Sequence, residues 1–329
     1  MEAMQKIYLT LAFAFSIVAL LAQQAPQQSL YMLNKYSFNP AYAGFDNSLS
    51  VTGMFRAQWV GLEGAPSTQI INAHMPLYYL GGGLGINLEN DEIGAERNAS
   101  ASISYNYMLP VSRTSTFSIG IAAGVTQKSL DGTKLRAPQG LYTDQNIIDH
   151  QDDLLPLGTT SAIAPLINVG VYFHNERFEA GLSATNVSEP IAELDGTNAV
   201  TEITFVRNYF ANFAATFEVG SALVLQPSLL LKSDLVETQV EISAIARYSD
   251  NIFGGASFRG YNSNSFDAVV LLAGYKLSEN LTLAYAYDIT ISDLSQVSRG
   301  SHEVMLNYNL NKTFGKGRLP KIIYNPRFL

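Results

Sequence analysis

From Leu49 onward the side chains of this 329-residue chain change character with a period of two, and that property constrains the fold more than any other. In residues 98–109, Ala99, Ala101, Ile103, Tyr105, Tyr107 and Leu109 alternate with Asn98, Ser100, Ser102, Ser104, Asn106 and Met108. Successive side chains of a strand point to opposite faces, so such a stretch is a β-strand with one apolar and one polar side. The pattern recurs at 49–59, 117–125, 167–173, 178–184, 209–219, 240–248 and 281–289. Weaker runs at 68–75, 82–89, 222–232, 252–259, 266–276 and 301–310 bring the total to about fourteen. Most are near the length with which a tilted strand crosses a bilayer.

A soluble β-sandwich also alternates, so the connections must decide. Links after even-numbered strands are short: 78–80, 110–115, 175–177, 220–221, 249–251 and 278–280. Links after odd-numbered ones include the long segments 128–165, 188–204 and 290–300, along with four shorter ones. Short turns on one rim and longer loops on the other are the layout of an outer-membrane barrel, with the turns periplasmic and the loops outside. The expected fold is all-β, a transmembrane antiparallel β-barrel of the bacterial outer membrane with about fourteen strands. No segment beyond the first 22 residues nears 18 consecutive apolar residues, so such a chain does not span as helices.

The charges obey the same periodicity. Only 15% of residues are charged, and Arg56, Glu179, Glu218, Lys232, Glu241, Arg247, Arg259, Asp288 and Glu303 fall in register with the polar faces. That placement spares the lipid side, where Arg or Lys at the midplane costs about 2–4 kcal/mol. The expectation is that Arg56, Arg247 and Arg259 pair with Glu241, Asp288 and Glu303 and close the lumen, whereas a selective pore shows one dominant sign. Residues 266–276 are the exception, because Asp267 within a nearly continuous apolar run leaves their register unassigned.

Both ends read differently from the middle. Lys6 precedes an apolar stretch at 7–22 and the chain turns polar at Gln23, which is the pattern of a secretory signal peptide cleaved after Ala22; an uncleaved anchor is the rival reading. Residues 23–47 are then expected as a periplasmic segment, 48–314 as the barrel and 315–329 as a basic periplasmic tail. After Asn311 come Lys312, Lys316, Arg318, Lys321 and Arg327 with no acidic residue. Two readings of the tail stand: a disordered extension, or a docking segment in which Arg318, Lys321 and Arg327 supply charge and Ile322, Tyr324 and Phe328 supply apolar anchors.

Little chemistry is visible. The absence of cysteine removes disulfides, thiolate metal sites and cysteine nucleophiles, and the net charge of −8 gives no footprint for nucleic acid. Gly81, Gly82, Gly83 and Gly85 fit no phosphate-binding spacing and read as strand glycines near a turn. His74, His150, His174 and His302 lack the spacing of a metal site. Asp131, Asp144, Asp149, Asp152 and Asp153 could hold calcium but read better as a solvated acidic loop. No catalytic residue, metal or cofactor is expected.

Several blocks carry a resemblance. Residues 28–34 (QSLYMLN), 39–44 (NPAYAG: Asn39, Pro40, Ala41, Tyr42, Ala43, Gly44), 55–69 (FRAQWVGLEGAPSTQ: among them Phe55, Arg56, Gln58, Trp59, Val60, Gly61, Gly64 and Pro66), 225–232 (LQPSLLLK), 300–303 (GSHE) and 325–329 (NPRFL) are similar to the PorP/SprF family of Bacteroidetes. The resemblance implies an outer-membrane barrel of the type IX secretion and gliding motility machinery. Its implied role is non-enzymatic: protein secretion, and cell-surface adhesin anchoring through the adhesin's C-terminal domain. Implied partners are outer-membrane lipid, that C-terminal domain, and periplasmic and outer-membrane secretion components. A channel or transporter for small solutes is the alternative. A secreted soluble β adhesin is the third reading.

Overall fold

The computed structural model describes residues 25–142, 148–249, 251–261 and 265–312. β1 (Ser50–Ala57), β2 (Ser67–Leu77), β3 (Gly82–Ile93), β4 (Glu96–Pro110), β5 (Thr116–Asp131), β6 (Thr159–His174) and β7 (Phe178–Thr185) follow one another as antiparallel neighbours. The short β8 (Ile191–Asp195) and β9 (Val200–Thr204) pair with each other. The ring resumes with β10 (Asn208–Ala215), β11 (Phe217–Val219), β12 (Leu223–Ser233), β13 (Thr238–Tyr248), β14 (Ile252–Tyr261), β15 (Phe266–Lys276), β16 (Leu281–Thr290) and β17 (Ser301–Asn309). β10 and β11 are one stave interrupted at Thr216, both paired with β12. β17 pairs back to β1, from Ser50 opposite Asn309 to Ala57 opposite His302. The sheet therefore closes as a fourteen-stranded antiparallel barrel, the fold the alternation predicts.

Burial separates the two faces. Large apolar side chains such as Phe55, Ile71, Ile103, Leu182, Ile242 and Leu271 stay exposed around the ring, while Arg56 and Arg259 are each 1% exposed. So much bare apolar surface suits lipid and not water. The short connections 78–81, 111–115, 175–177, 220–222, 249–251 and 277–280 share one rim, taken as periplasmic by the turn-length rule.

The outer rim departs from expectation. β4, β5 and β6 run 15 to 16 residues, longer than a crossing needs, and all of the excess rises above the outer side. Along β6 the strand begins at Thr159, where sequence patterning starts it at residue 167. The unforeseen β8–β9 hairpin folds inward over this tall wall, packing Ala192 and Phe205 against Ala162 and Ala164. It is tied to the neighbouring loop by Thr201 Oγ1 donating to the Leu154 carbonyl at 2.6 Å and Asn198 Nδ2 donating to Asp153 at 2.8 Å.

A barrel of this strand number encloses more space than its own side chains fill. The chain's own N-terminal segment fills it. Residues 25–47, expected in the periplasm, instead run down the lumen from the outer end at Ala25 to the periplasmic end at Asn47, then turn into β1. The physical reason is double: Leu30, Tyr31, Met32 and Phe38 need an apolar host, and the inward wall supplies Met54, Ile70, Phe210, Leu230, Ile245 and Met305. Each such side chain contributes about 1.5–3 kcal/mol when taken out of water.

Candidate functional site

The lumen plug is held by three sets of contacts. At the outer end, Ala25 N donates to Asn208 Oδ1 at 3.1 Å and Lys232 Nζ donates to the Ala25 carbonyl at 2.9 Å. In the middle, the Tyr31 hydroxyl meets Ser243 at 2.9 Å and Ser228 at 3.2 Å, and burial pushes its pKa up to about 12. Phe38 stacks on Phe210 with centroids 5.5 Å apart, and Lys35 forms an ion pair with Glu179 of β7. At the periplasmic end the plug folds into a 3-10 turn, Pro40–Tyr42, which Asn39 caps by accepting from Ala41 N at 3.0 Å. Asn106 Nδ2 of β4 donates to the carbonyls of Ala41 and Ala43, at 2.6 and 2.8 Å.

The wall makes room for this turn with glycine. A Cβ on Gly83 would lie 2.1 Å from the Ala43 carbonyl oxygen, and one on Gly120 2.5 Å from Ala41 N. The chain leaves the lumen at Gly44, whose φ of +84° is a left-handed conformation that favours glycine. Gly44 N donates to His74 Nδ1 at 3.1 Å.

The densest set of contacts surrounds Ser29. Arg56 reaches Asp288 at 2.7 Å and Glu303 at 3.1 Å, while Arg259 reaches Glu241 at 2.7 Å, Asp288 at 2.8 Å and Asp267 at 3.3 Å. The Ser29 hydroxyl donates to Asp288 at 2.7 Å and accepts from Arg56 at 2.8 Å and from Arg259 at 2.7 Å. Both oxygens of Glu303 accept backbone N–H groups of the plug, from Ser29 at 2.7 Å and Leu30 at 2.9 Å. Gln27 adds an acceptor for Arg259 at 2.9 Å. Two guanidinium groups and four carboxylates thus lock a plug that itself brings no charge to the cluster. Charge-assisted bonds of this kind are short and strong, and within the cluster Arg56 Nε and Glu241 Oε1 stay without a partner.

A family model for the type IX secretion system membrane protein PorP/SprF matches residues 20–308. The chain belongs to the PorP/SprF family. No curated protein matches it. Among solved structures it is similar to the Ralstonia pickettii toluene transporter TbuX, at 10% identity and a TM-score of 0.48 over 85% of this chain and 93% of that one. It is also similar to a Pseudomonas aeruginosa FadL homologue (8%, 0.49, 88% and 95%) and to the Acinetobacter baumannii outer membrane protein Omp33 (8%, 0.43, 80% and 97%). Likeness this loose says nothing of what the PorP/SprF protein binds. Family and closed barrel together make it an outer-membrane protein.

The blocks that carry the PorP/SprF resemblance converge on the plug. QSLYMLN and NPAYAG are the plug itself. FRAQWVG and GSHE lie side by side across the closure seam, where Arg56 pairs opposite Glu303, Trp59 N donates to Ser301 at 3.1 Å and Val60 N to the Gly300 carbonyl at 2.8 Å. Gln58 N donates to the Pro66 carbonyl at 2.9 Å, closing an outer loop that turns at Gly61 and Gly64. Phe55 faces lipid. LQPSLLLK supplies Ser228 and Lys232.

Five of the six expected lumen charges of this PorP/SprF protein meet at Ser29. Arg247 does not: it lies six residues along β13 from Glu241, about 20 Å away, and stacks over Phe253 with its guanidinium 5.7 Å from the ring centre. Glu218, expected inward, is exposed on β11 at the periplasmic rim beyond the break at Thr216. Asp267 is the functional residue that alternation missed. A bulge at Arg259–Gly260 lets Asp267 and Ala268 both face inward, which no period-two pattern signals.

The acidic loop residues act locally: Asp131, Asp149 and Asp152 accept backbone N–H groups of their own turns. No group of three His or acidic residues is placed to hold a metal among the described residues. The signal segment 1–22 and the docking residues Arg318, Lys321, Ile322, Tyr324, Arg327 and Phe328 lie outside the described residues.

Proposed function

We propose that this PorP/SprF protein is a plugged anchor of the type IX secretion and gliding machinery. It helps export a large surface adhesin and holds it through the adhesin's C-terminal domain, with no catalytic step of its own. The observation that carries the reading is the occupied lumen: a barrel filled by its own N-terminal segment and locked by buried ion pairs suits a rigid scaffold better than a solute conduit. The tall outer wall with its β8–β9 cap offers the adhesin a preformed surface, since binding residues concentrate on loops held by a rigid frame. The basic tail at 315–329 offers periplasmic secretion components a charged, apolar-studded segment.

The test is native copurification followed by mass spectrometry, paired with adhesin quantitation on cells lacking the protein. An adhesin C-terminal domain among the copurified proteins, and loss of that adhesin from the surface, is the expected result. Unchanged surface adhesin in the deletion strain rejects the reading.

A further inference from the structure

The plug does not fill the whole lumen. Between its first half and the wall of β3 to β7 lies a cavity of about 140 Å³, several times the roughly 10–15 Å³ that one water needs. Its lining comes from the outer halves of the strands, and the plug turn lies below, so a ligand reaches it from the outer side.

What distinguishes the cavity is an excess of acceptors. Glu89 and Asp91, two apart on β3, project from the same face. Asp91 accepts from Thr68 at 2.6 Å, whereas Glu89 makes no hydrogen bond or ion pair among the described residues. Asn87 and Asn98 beside them each leave Oδ1 without a partner. On the opposite side Glu241, 2% exposed, gives Oε2 to Arg259 and leaves Oε1 unpartnered. Of the two cations on the lining, Arg259 is committed to the Ser29 cluster, whereas Lys232 donates to the Ala25 carbonyl while its charge also faces Asp91 and Glu241, so Glu89 is the carboxyl left without a partner. Unmatched acceptors in a low-dielectric site are costly and call for donors. A cation between Glu89 and Asp91 favours the charged form of both and meets their oxygens, whereas a neutral donor meets the oxygens alone.

We propose that this cavity is a binding site for a cationic hydrogen-bond donor, a guanidinium or primary ammonium. Its head group sits against Glu89 and Asp91, and its stem lies along Phe205 and Phe210. The group comes from a small soluble amine or from an arginine or lysine of a polypeptide entering at the outer mouth. The proposal stands independently of the adhesin reading.

The experiment is isothermal titration of the full chain in lipid nanodiscs with three probes: agmatine, the tripeptide Gly-Arg-Gly, and glucose as the neutral donor. Saturable one-to-one binding of agmatine and tripeptide is expected for a small-cation site, and binding of the tripeptide alone for a polypeptide site; either supports the proposal. Glu89→Gln should weaken that binding at least tenfold with heat-modifiable gel mobility unchanged, and Glu63→Gln in the exposed outer loop should not. Absence of saturable binding by both cations, full binding by a folded Glu89→Gln variant, or glucose binding equal to that of agmatine would overturn it.

Discussion

The Ser29 hydroxyl donates to the Asp288 carboxylate at 2.7 Å, joining residues 259 positions apart in sequence. Through that contact the plug and the wall beside the closure seam share one polar cluster, since Asp288 also accepts from Arg56 and Arg259. Removing the hydroxyl takes a donor from Asp288 and an acceptor from both arginines, at a cost of about 1–3 kcal/mol. Ser29→Ala should therefore make channel openings at least tenfold more frequent in planar-bilayer recordings. An opening frequency equal to the wild type would show that Ser29 does not hold the plug.

The arginines differ from one another in a way that separates ion pairing from mere lumen charge. Breaking a buried pair by removing one partner costs about 3–5 kcal/mol. Arg56→Gln and Arg259→Gln should each raise conductance and lower the temperature of the heat-modifiable gel shift. Arg247→Gln, away from the cluster, should change neither. A large effect of Arg247→Gln on conductance would relocate the lock to the periplasmic end.

The barrel was legible because lipid on one side and a polar lumen on the other impose strict alternation, as in residues 98–109, and because turn lengths sort by rim. Five of the six lumen charges followed from parity alone. What parity cannot show is where the chain leaves it. Asp267 turned inward through a bulge, and β11 broke from β10 at Thr216, both local departures set by neighbours. The plug was hidden for a different reason: residues 25–47 carry no period, and their meaning comes from partners such as Asn106, Glu179 and Glu303 that are distant in sequence. The glycines at 81–85 read as strand glycines near a turn, and Gly83 answers to the plug's close approach as much as to that turn.

The plug also predicts a pH limit. Burial raises both Tyr31 and Tyr36 from 10.0 to about 12. Groups that hold their protons more tightly in the plugged state stabilise it fully below pH 10, and that contribution is lost as the pH rises through about 12. Conductance should rise over this window, and Tyr31→Phe should shift the rise upward. A rise unaffected by Tyr31→Phe would assign it to other groups.

Deleting residues 131–155 removes the loop that braces Asn198 and Thr201 of the β8–β9 hairpin but leaves the β5–β6 ladder largely paired. The variant should assemble in the outer membrane with normal heat-modifiability and hold less adhesin at the surface. Normal retention would remove the outer cap from the proposed binding surface.

A chain truncated after Gly317 should insert and fold yet fail to copurify with periplasmic secretion components, with reduced adhesin export. Loss of barrel assembly would assign the tail to insertion, and full export would remove its docking role.

The central claim is that this barrel is closed by its own N-terminal segment. Planar-bilayer recording of the purified wild type beside a variant lacking residues 25–43 tests it most directly. The wild type should show only rare, brief openings and the deletion variant should carry a steady ionic current; a stable open current through the wild type would contradict the claim.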